Sequence, residues 1–361
     1  MKKIVVDFSY NHYYHAGSKA REDVNRIAMN NGFTPFLINT HTVKEQAETH
    51  PSPIYQFFYR IRKLFILLLS IAKIKKRTLV LIQYPIAPFT EIHTLFFFRC
   101  LKRKKCHLAV LVHDTVSFRN DELFAKSETK ILNTATELIV HTTQMMELFK
   151  RNGIVRPCKL LWLFDYLTNE VPNKDYRQSS NHSIAFAGNL DKSLFLKKLT
   201  AIHFGNVRLN LYGNKPSDTS DYPNWMKYVG RFSPENITML TEDWGLAWDG
   251  DSIETIHGPL GNYLRYISPH KVSLYIAAGI PVVVSKDSAL AQYVEENHLG
   301  ITISSLTELD QIITAQNEEE LLLIRKSVAE MSQVLRNGGR LGAILKEIVR
   351  EMDNIYLQSV V

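Results

Sequence analysis

Cysteine is nearly absent from this chain. Cys100, Cys106 and Cys158 are scattered over 361 positions, with no CxxC pair and no zinc-like spacing. That excludes a disulfide framework and a structural zinc site, and it suits a reducing cytoplasm. Long apolar runs are also missing. The strongest, Leu64 to Ala72, is about half of what a membrane-crossing helix needs. The N-terminal MKKIVVDFSYNHYYH loses its apolarity at Asp7, too early for the core of a signal peptide. A cytoplasmic protein that does not span the membrane is therefore expected. Low-complexity tracts and solenoid-period repeats are lacking too.

What is present is ordinary in amount and basic in balance. Hydrophobic residues make up 45% and charged residues 22%, and the length suits two cores better than one. Lys and Arg number 43 against 36 Asp and Glu, a formal charge of +7, which favours anionic partners such as nucleic acid, lipid headgroups or phosphorylated small molecules. Two basic runs, Lys73 to Arg77 and Lys102-Arg103-Lys104-Lys105, have no interleaved stacking aromatics and belong to no nucleic-acid module. They read as solvated faces, and no nucleic acid partner is expected.

Short apolar runs alternate with helical patterns, the mark of parallel α/β layers. Strands are expected from Lys3, Thr34, Thr78, His107 and Glu137, with helices near 17–31, 54–75, 91–105, 122–135 and 143–152. Residues 166–182 are polar and aperiodic and read as a linker. A second strand series begins at Ser183, Val207, Met226, Gly245, Pro281 and Gly300, and helices at about 318–336 and 340–358 close the chain. The reading is of Rossmann-like domains over 1–165 and 183–335 that face a central cleft, followed by a C-terminal helix over 336–361. Ligands of such sheets bind beyond the strand carboxyl ends.

The segment Ser268-Pro269-His270-Lys271 opens a helix that ends in Ala277-Ala278-Gly279. Ser268 is expected to cap it, with Pro269 in its first position. Lys271 in the first turn opposes the helix dipole unless an anion lies between them, so an anion site is expected there. Glycines follow three strands, at Gly188-Asn189, Gly213-Asn214 and Gly230-Arg231-Phe232, where backbone can approach a ligand closely. In the first half, the loop from Tyr14 to Ala20 joins strand to helix as phosphate loops do, yet it lacks both GxGxxG and GxxxxGK[ST]. Tyr84 and Asp114 end strands that face the same cleft, and Asp114 is a plausible general base.

Taken in order, AGSKAREDV, IQYP, VHDTVSFR, FAGNLDKS, YVGRFSPE, GLAWDGDSIET and YISPHKVSLYIAAGIPVVV resemble one group of bacterial GT-B glycosyltransferases. It includes O-antigen β-1,6-galactofuranosyltransferases and the glucosyltransferase of serine-rich streptococcal adhesins. The resemblance covers about residues 1–345. It implies a UDP-sugar donor held by the C-terminal domain, a glycan acceptor on the N-terminal side, no cofactor or metal, and a homo-oligomer. Donor contacts fall on Gly188, Asn189, Lys192, Gly230, Arg231, Phe232, Asp251, Ser268, Pro269, His270 and Lys271. The acceptor side falls on Gly17, Ser18 and Tyr84, and the catalytic base on Asp114, with His15 second. The large retaining GT-B family has a glutamate where this chain has Leu274, so that family's glutamate pair is not assigned, and the β-linkages of the resembling enzymes imply inversion. Residues 54–77, a short apolar core flanked by Arg60, Arg62, Lys63, Lys73, Lys75, Lys76 and Arg77, read either as an interfacial membrane helix serving a lipid-linked acceptor or as a buried helix with solvated lysines. Two alternatives stand beside this reading: a metal-dependent GT-A enzyme using Asp249-Gly250-Asp251 as a DxD, and a non-catalytic sugar-nucleotide-binding subunit.

Overall fold

A computed structural model describes residues 2–8, 16–38, 53–86, 89–115, 117, 125–172, 182–216, 219 and 221–358. The first sheet comprises β1 (Lys3–Phe8), β2 (Thr34–Ile38), β3 (Leu79–Tyr84), β4 (His107–Val112), β5 (Glu137–Val140) and β6 (Cys158–Leu160). The second comprises β7 (Ser183–Ala187), β8 (Arg208–Tyr212), β9 (Met226–Gly230), β10 (Trp244–Ala247), β11 (Val282–Ser285) and β12 (Gly300–Ile303). Both are six-stranded and wholly parallel, ordered β2-β1-β3-β4-β5-β6 and β12-β11-β10-β7-β8-β9. Strand order reverses between β1 and β3, and again between β7 and β10. Central strands such as LVLIQY in β3 are buried at every position, because layers cover both faces and no solvent side remains for a polar residue.

Helices α1 (Ala16–Asn30), α2 (Pro53–Lys73), α3 (Glu91–Arg103), α4 (Lys126–Leu132) and α5 (Thr143–Arg151) belong to the first sheet. Around the second lie α6 (Phe195–Leu199), α7 (Gly258–Tyr263), α8 (His270–Ala277), α9 (Ala291–Glu296), α10 (Leu309–Thr314) and α11 (Glu318–Arg336). The last helix, α12 (Gly339–Gln358), returns to the first domain, where Leu341, Ile344, Leu345 and Ile348 pack with Val24 and Ile27 of α1. On the opposite face, α2 to α5 contribute Leu67, Phe97, Phe98, Ile131 and Phe149.

The chain passes between the domains at Leu161–Pro172, and polar bonds fasten the crossing. The Asp165 carboxylate accepts from the N–H groups of Arg340 (3.0 Å) and Leu341 (2.7 Å) at the start of α12. Lys19, in the first turns of α1, is buried. Its Nζ donates to Asp23 (2.7 Å) and to the Leu167 carbonyl (2.5 Å), and it pairs with Glu235 of the second domain at 3.0 Å.

Helix α2 fits neither simple expectation. Leu67, Ser70 and Ile71 face the core, yet Phe58, Ile61, Leu64, Phe65, Leu68 and Leu69 are exposed, Phe58 to 63%. Lys63 is buried, and burial lowers its pKa to about 8, so it does not flank the surface as expected. The second basic run is not a simple solvated face either. Lys104 Nζ donates to the carbonyls of Ile71 (2.5 Å), Ala72 (3.3 Å) and Ile74 (2.5 Å), where a cation satisfies helix-end carbonyls and complements the dipole. Among the described residues no helix is long and apolar enough to cross a membrane.

Candidate active site

Two residues of α8, one helical turn apart, shape the crevice where the second sheet reverses order. β7 and β10 pair only at Ile184–Trp244 and Ala185–Gly245 and then diverge. Tyr275 fills the gap: its hydroxyl accepts from Ala187 N–H (2.7 Å) and donates to the Leu246 carbonyl (3.3 Å). Its ring lies on Gly245, where a Cβ would come within 2.2 Å of the ring carbon Cγ; only glycine fits beneath it. Lys271, four residues earlier on the same helix face, closes the mouth of the crevice. Its Nζ donates to the Trp248 carbonyl (3.1 Å), pairs with Asp249 (3.4 Å) and stands 4.5 Å from the centre of the Phe186 ring. The side chain is 14% exposed. The cation is thus held by a carbonyl, a ring and one carboxylate, beside the first free N–H groups of a helix, where the dipole favours negative charge.

The head of α8 differs from expectation in one respect. Pro269 is the N-cap, not the first helical residue, and Ser268 does not cap: its Oγ is buried without a hydrogen-bond partner among the described residues. Its backbone N–H instead donates to His141 Nδ1 of the first domain (3.3 Å). The other end behaves as expected. Gly279, at φ +73°, donates to the Ile276 carbonyl and Ile280 donates to that of Tyr275, which is the Schellman closure.

The three glycine loops meet at the carboxyl edge of the sheet. Gly188 N–H donates to the Tyr212 carbonyl (3.0 Å) and Gly213 N–H to that of Gly230 (2.9 Å). Gly188, Asn189 and Lys192 are exposed, and Asn189 Oδ1 accepts from the Lys192 N–H (3.1 Å). On the edge strand, Arg231 donates to Asn214 (3.3 Å), and Phe232 meets the Tyr212 ring edge-on at 5.5 Å. Two strands separate this pair from Lys271, about 10 Å. Asp251 lies in the loop after β10 and accepts from His257 Nδ1 (2.8 Å), a bond that lowers its pKa. The DxD carboxylates thus engage different partners, Asp249 with Lys271 and Asp251 with His257.

From the first domain, Asp114 reaches the seam between the domains. One of its oxygens accepts from Thr115 N–H (2.9 Å) and also from the hydroxyl of Tyr263 at the end of α7. Thr142 Oγ1 donates to the Tyr266 carbonyl (2.6 Å) nearby. Gly17 and Ser18 lie in the first turn of α1, and His15 is outside the described residues. Tyr84 departs from its expected place on the acceptor surface. It is buried, and its hydroxyl donates to Glu128 (2.9 Å), itself bound by Ser117.

Of the histidines at this seam, sequence reasoning places His270 among the donor contacts and misses His141. His141 Nε2 donates to the Val112 carbonyl (2.7 Å) while Nδ1 accepts from Ser268. Protonation would set two N–H groups against each other, and burial lowers its pKa to about 4. Burial lowers His270 to about 3; its ring packs near Phe164 and Tyr166, and its Nε2 has no hydrogen-bond partner among the described residues. Burial likewise pushes the His113 pKa well down, and its ring is bonded to Gln83 and stacked on Phe164.

Comparison with known proteins agrees with this geometry. Residues 2–161 match the glucosyltransferase 3-like N-terminal domain and residues 184–348 the glucosyltransferase 3-like C-terminal domain. The chain is 29% identical to the β-1,6-galactofuranosyltransferase WbbI of Escherichia coli K12 over 77% of its own length and 81% of that protein's. It is 23% identical to glucosyltransferase 3 of Streptococcus parasanguinis, with the same coverage. Among solved structures, it is similar in fold to HepE of Anabaena in complex with UDP, with a TM-score of 0.63 at 13% identity over 97% of this chain and 100% of that one. The fold is GT-B, which removes the GT-A alternative. With both halves matched in order, the chain belongs to the glucosyltransferase 3-like family of GT-B glycosyltransferases.

Proposed function

We propose that the protein transfers a hexosyl residue, galactofuranose or glucose, from a UDP-sugar to a glycan acceptor in cell-surface polysaccharide or glycoprotein synthesis. The observation that carries this reading is Lys271, a cation of which 14% is exposed, at the mouth of the β7/β10 crevice. A diphosphate there replaces Asp249 as its counter-charge, and the nucleoside extends along the glycine edge toward Arg231 and Phe232. The relatives named for galactofuranosyl and glucosyl transfer, and the fold relative seen with UDP, support that donor class.

Transfer proceeds by one displacement with inversion. The acceptor oxygen attacks the anomeric carbon, a carboxylate takes its proton, and the bond to the diphosphate oxygen breaks. Lys271 and the head of α8 stabilise the charge that grows on the leaving group. Asp114 is the base, with Gly17 and Ser18 on the acceptor side. No divalent ion is needed for this role, so turnover is expected to persist in EDTA; activity abolished by EDTA and restored by Mn²⁺ overturns that step. The enzyme acts as a homo-oligomer at the cytoplasmic face of the membrane, meeting a lipid-linked acceptor through residues 54–77.

A donor screen tests the reading. UDP-galactofuranose, UDP-glucose, UDP-GlcNAc and UDP-galactopyranose are incubated with simple glycoside acceptors, and products are read by mass spectrometry. A single preferred hexose and a β-linked product are expected; no turnover of any UDP-sugar removes the reading.

A further inference from the structure

We infer that the membrane-facing surface is composite, built from α2 and α3 together, and that its partner is a bilayer with anionic headgroups. The inference rests on the membrane reading of residues 54–77 and adds the second basic run to it. Two contacts lay the helices side by side. Arg60 of α2 interacts through its backbone with His93 of α3, and Lys104 just beyond α3 binds the carbonyls of Ile71, Ala72 and Ile74 at the end of α2. Arg77 N–H donates to the Lys104 carbonyl (3.1 Å). Basic runs more than twenty residues apart in sequence thereby form one cluster, in which Lys73, Lys75, Lys76, Arg77, Lys102, Arg103 and Lys105 are all exposed.

Beside this cluster runs the apolar stripe of α2. Phe58, Ile61, Phe65 and Leu68 follow helical spacing on the outward face, and Ile92 in the first turn of α3 is 81% exposed. Both helices run back from strand carboxyl ends, so Phe58 and Ile92 lie toward the cleft and the cations lie at the far end. That is the division of an interfacial surface: apolar groups enter the acyl boundary, and cations meet headgroup phosphates. A second copy of this chain fits less well. α2 has no Asp or Glu, so an antiparallel self-contact sets Arg60 and Arg62 against Lys73 and Lys75, and a parallel one sets each cation on its twin. Like charges across an interface are unfavourable.

The test is flotation with vesicles of phosphatidylcholine alone or with added phosphatidylglycerol, at low and high salt. The wild-type protein is expected to float with the anionic vesicles and to be released by salt. Lys102→Gln/Arg103→Gln/Lys105→Gln is expected to weaken partition about fivefold per cation, roughly a hundredfold together. Donor turnover on a soluble glycoside serves as an independent readout and is expected to be unchanged, since none of the three lies at the cleft. Three outcomes overturn the proposal. The triple variant floating like wild type leaves α2 acting alone. Equal binding to neutral vesicles removes the anionic partner. A wild type that never floats, yet forms an oligomer dispersed by Phe65→Ser/Leu68→Ser, makes the surface a subunit interface. Loss of soluble-acceptor turnover in the wild type strikes instead at the transferase reading and leaves the flotation result standing.

Discussion

Lys271 and Tyr275 divide the crevice work, and their variants should fail differently. Lys271→Ala removes fixed positive charge from a group that becomes more anionic as the glycosidic bond breaks. A loss of roughly 100-fold in rate is expected from steady-state kinetics, and near-wild-type turnover would remove the central claim. Tyr275→Phe leaves the charge in place but loses the hydroxyl that bonds Ala187 and Leu246. Its expected effect is a KM for the donor raised several-fold with kcat little changed, since the loop at Gly188 is loosened rather than discharged. Lysine in a first helical turn was legible in the sequence because it violates the dipole rule. Tyr275 carried a weaker signal, its place four residues on. Tyr84 misled because a strand end can turn its side chain inward, here to Glu128, and nothing local distinguishes the two.

At the scale of the element, the seal between Asp165 and α12 makes a pH prediction. Burial raises Asp165 to about 7, outweighing the two N–H bonds that favour its anion. The folded state therefore holds this proton while the unfolded chain, near 3.8, has lost it. Stability from Asp165 is fully present below the unfolded value and is lost as pH rises toward 7. The melting temperature of wild type relative to Asp165→Asn is expected to fall between pH 4 and 7; a constant difference would mean the carboxyl is already ionised. The strands expected at Lys3, Thr34, Thr78, His107 and Glu137 and all six of the second series are present, because buried parallel strands announce themselves as apolar runs. Only β6, three half-buried residues at the sheet edge, was missed, being too short to show periodicity.

For the molecule as a whole, the proposed base lies on a seam whose two sides are far apart in sequence. The Tyr263 hydroxyl donates across it to Asp114, and a donated bond favours the carboxylate form. Asp114→Asn is expected to bind UDP normally in calorimetry yet fail in transfer, whereas Tyr263→Phe should shift the acidic limb of the pH–rate profile to higher pH. Collapse of UDP binding in Asp114→Asn would make that residue structural and turn attention to His15. No local pattern marks such a contact, which is why Tyr263 and His141 escaped the sequence reading. The return of α12 to the first domain has a consequence of another kind, for the order of synthesis. Four α12 side chains, Leu341, Ile344, Leu345 and Ile348, are buried against that domain, and at about 1.5–3 kcal/mol each they contribute on the order of 6–12 kcal/mol. That is comparable to the net stability of a whole domain. On the ribosome, the first domain must wait, one face uncovered, until the whole second domain has been made and α12 has left the exit tunnel, so it completes its core only after its neighbour has been synthesised.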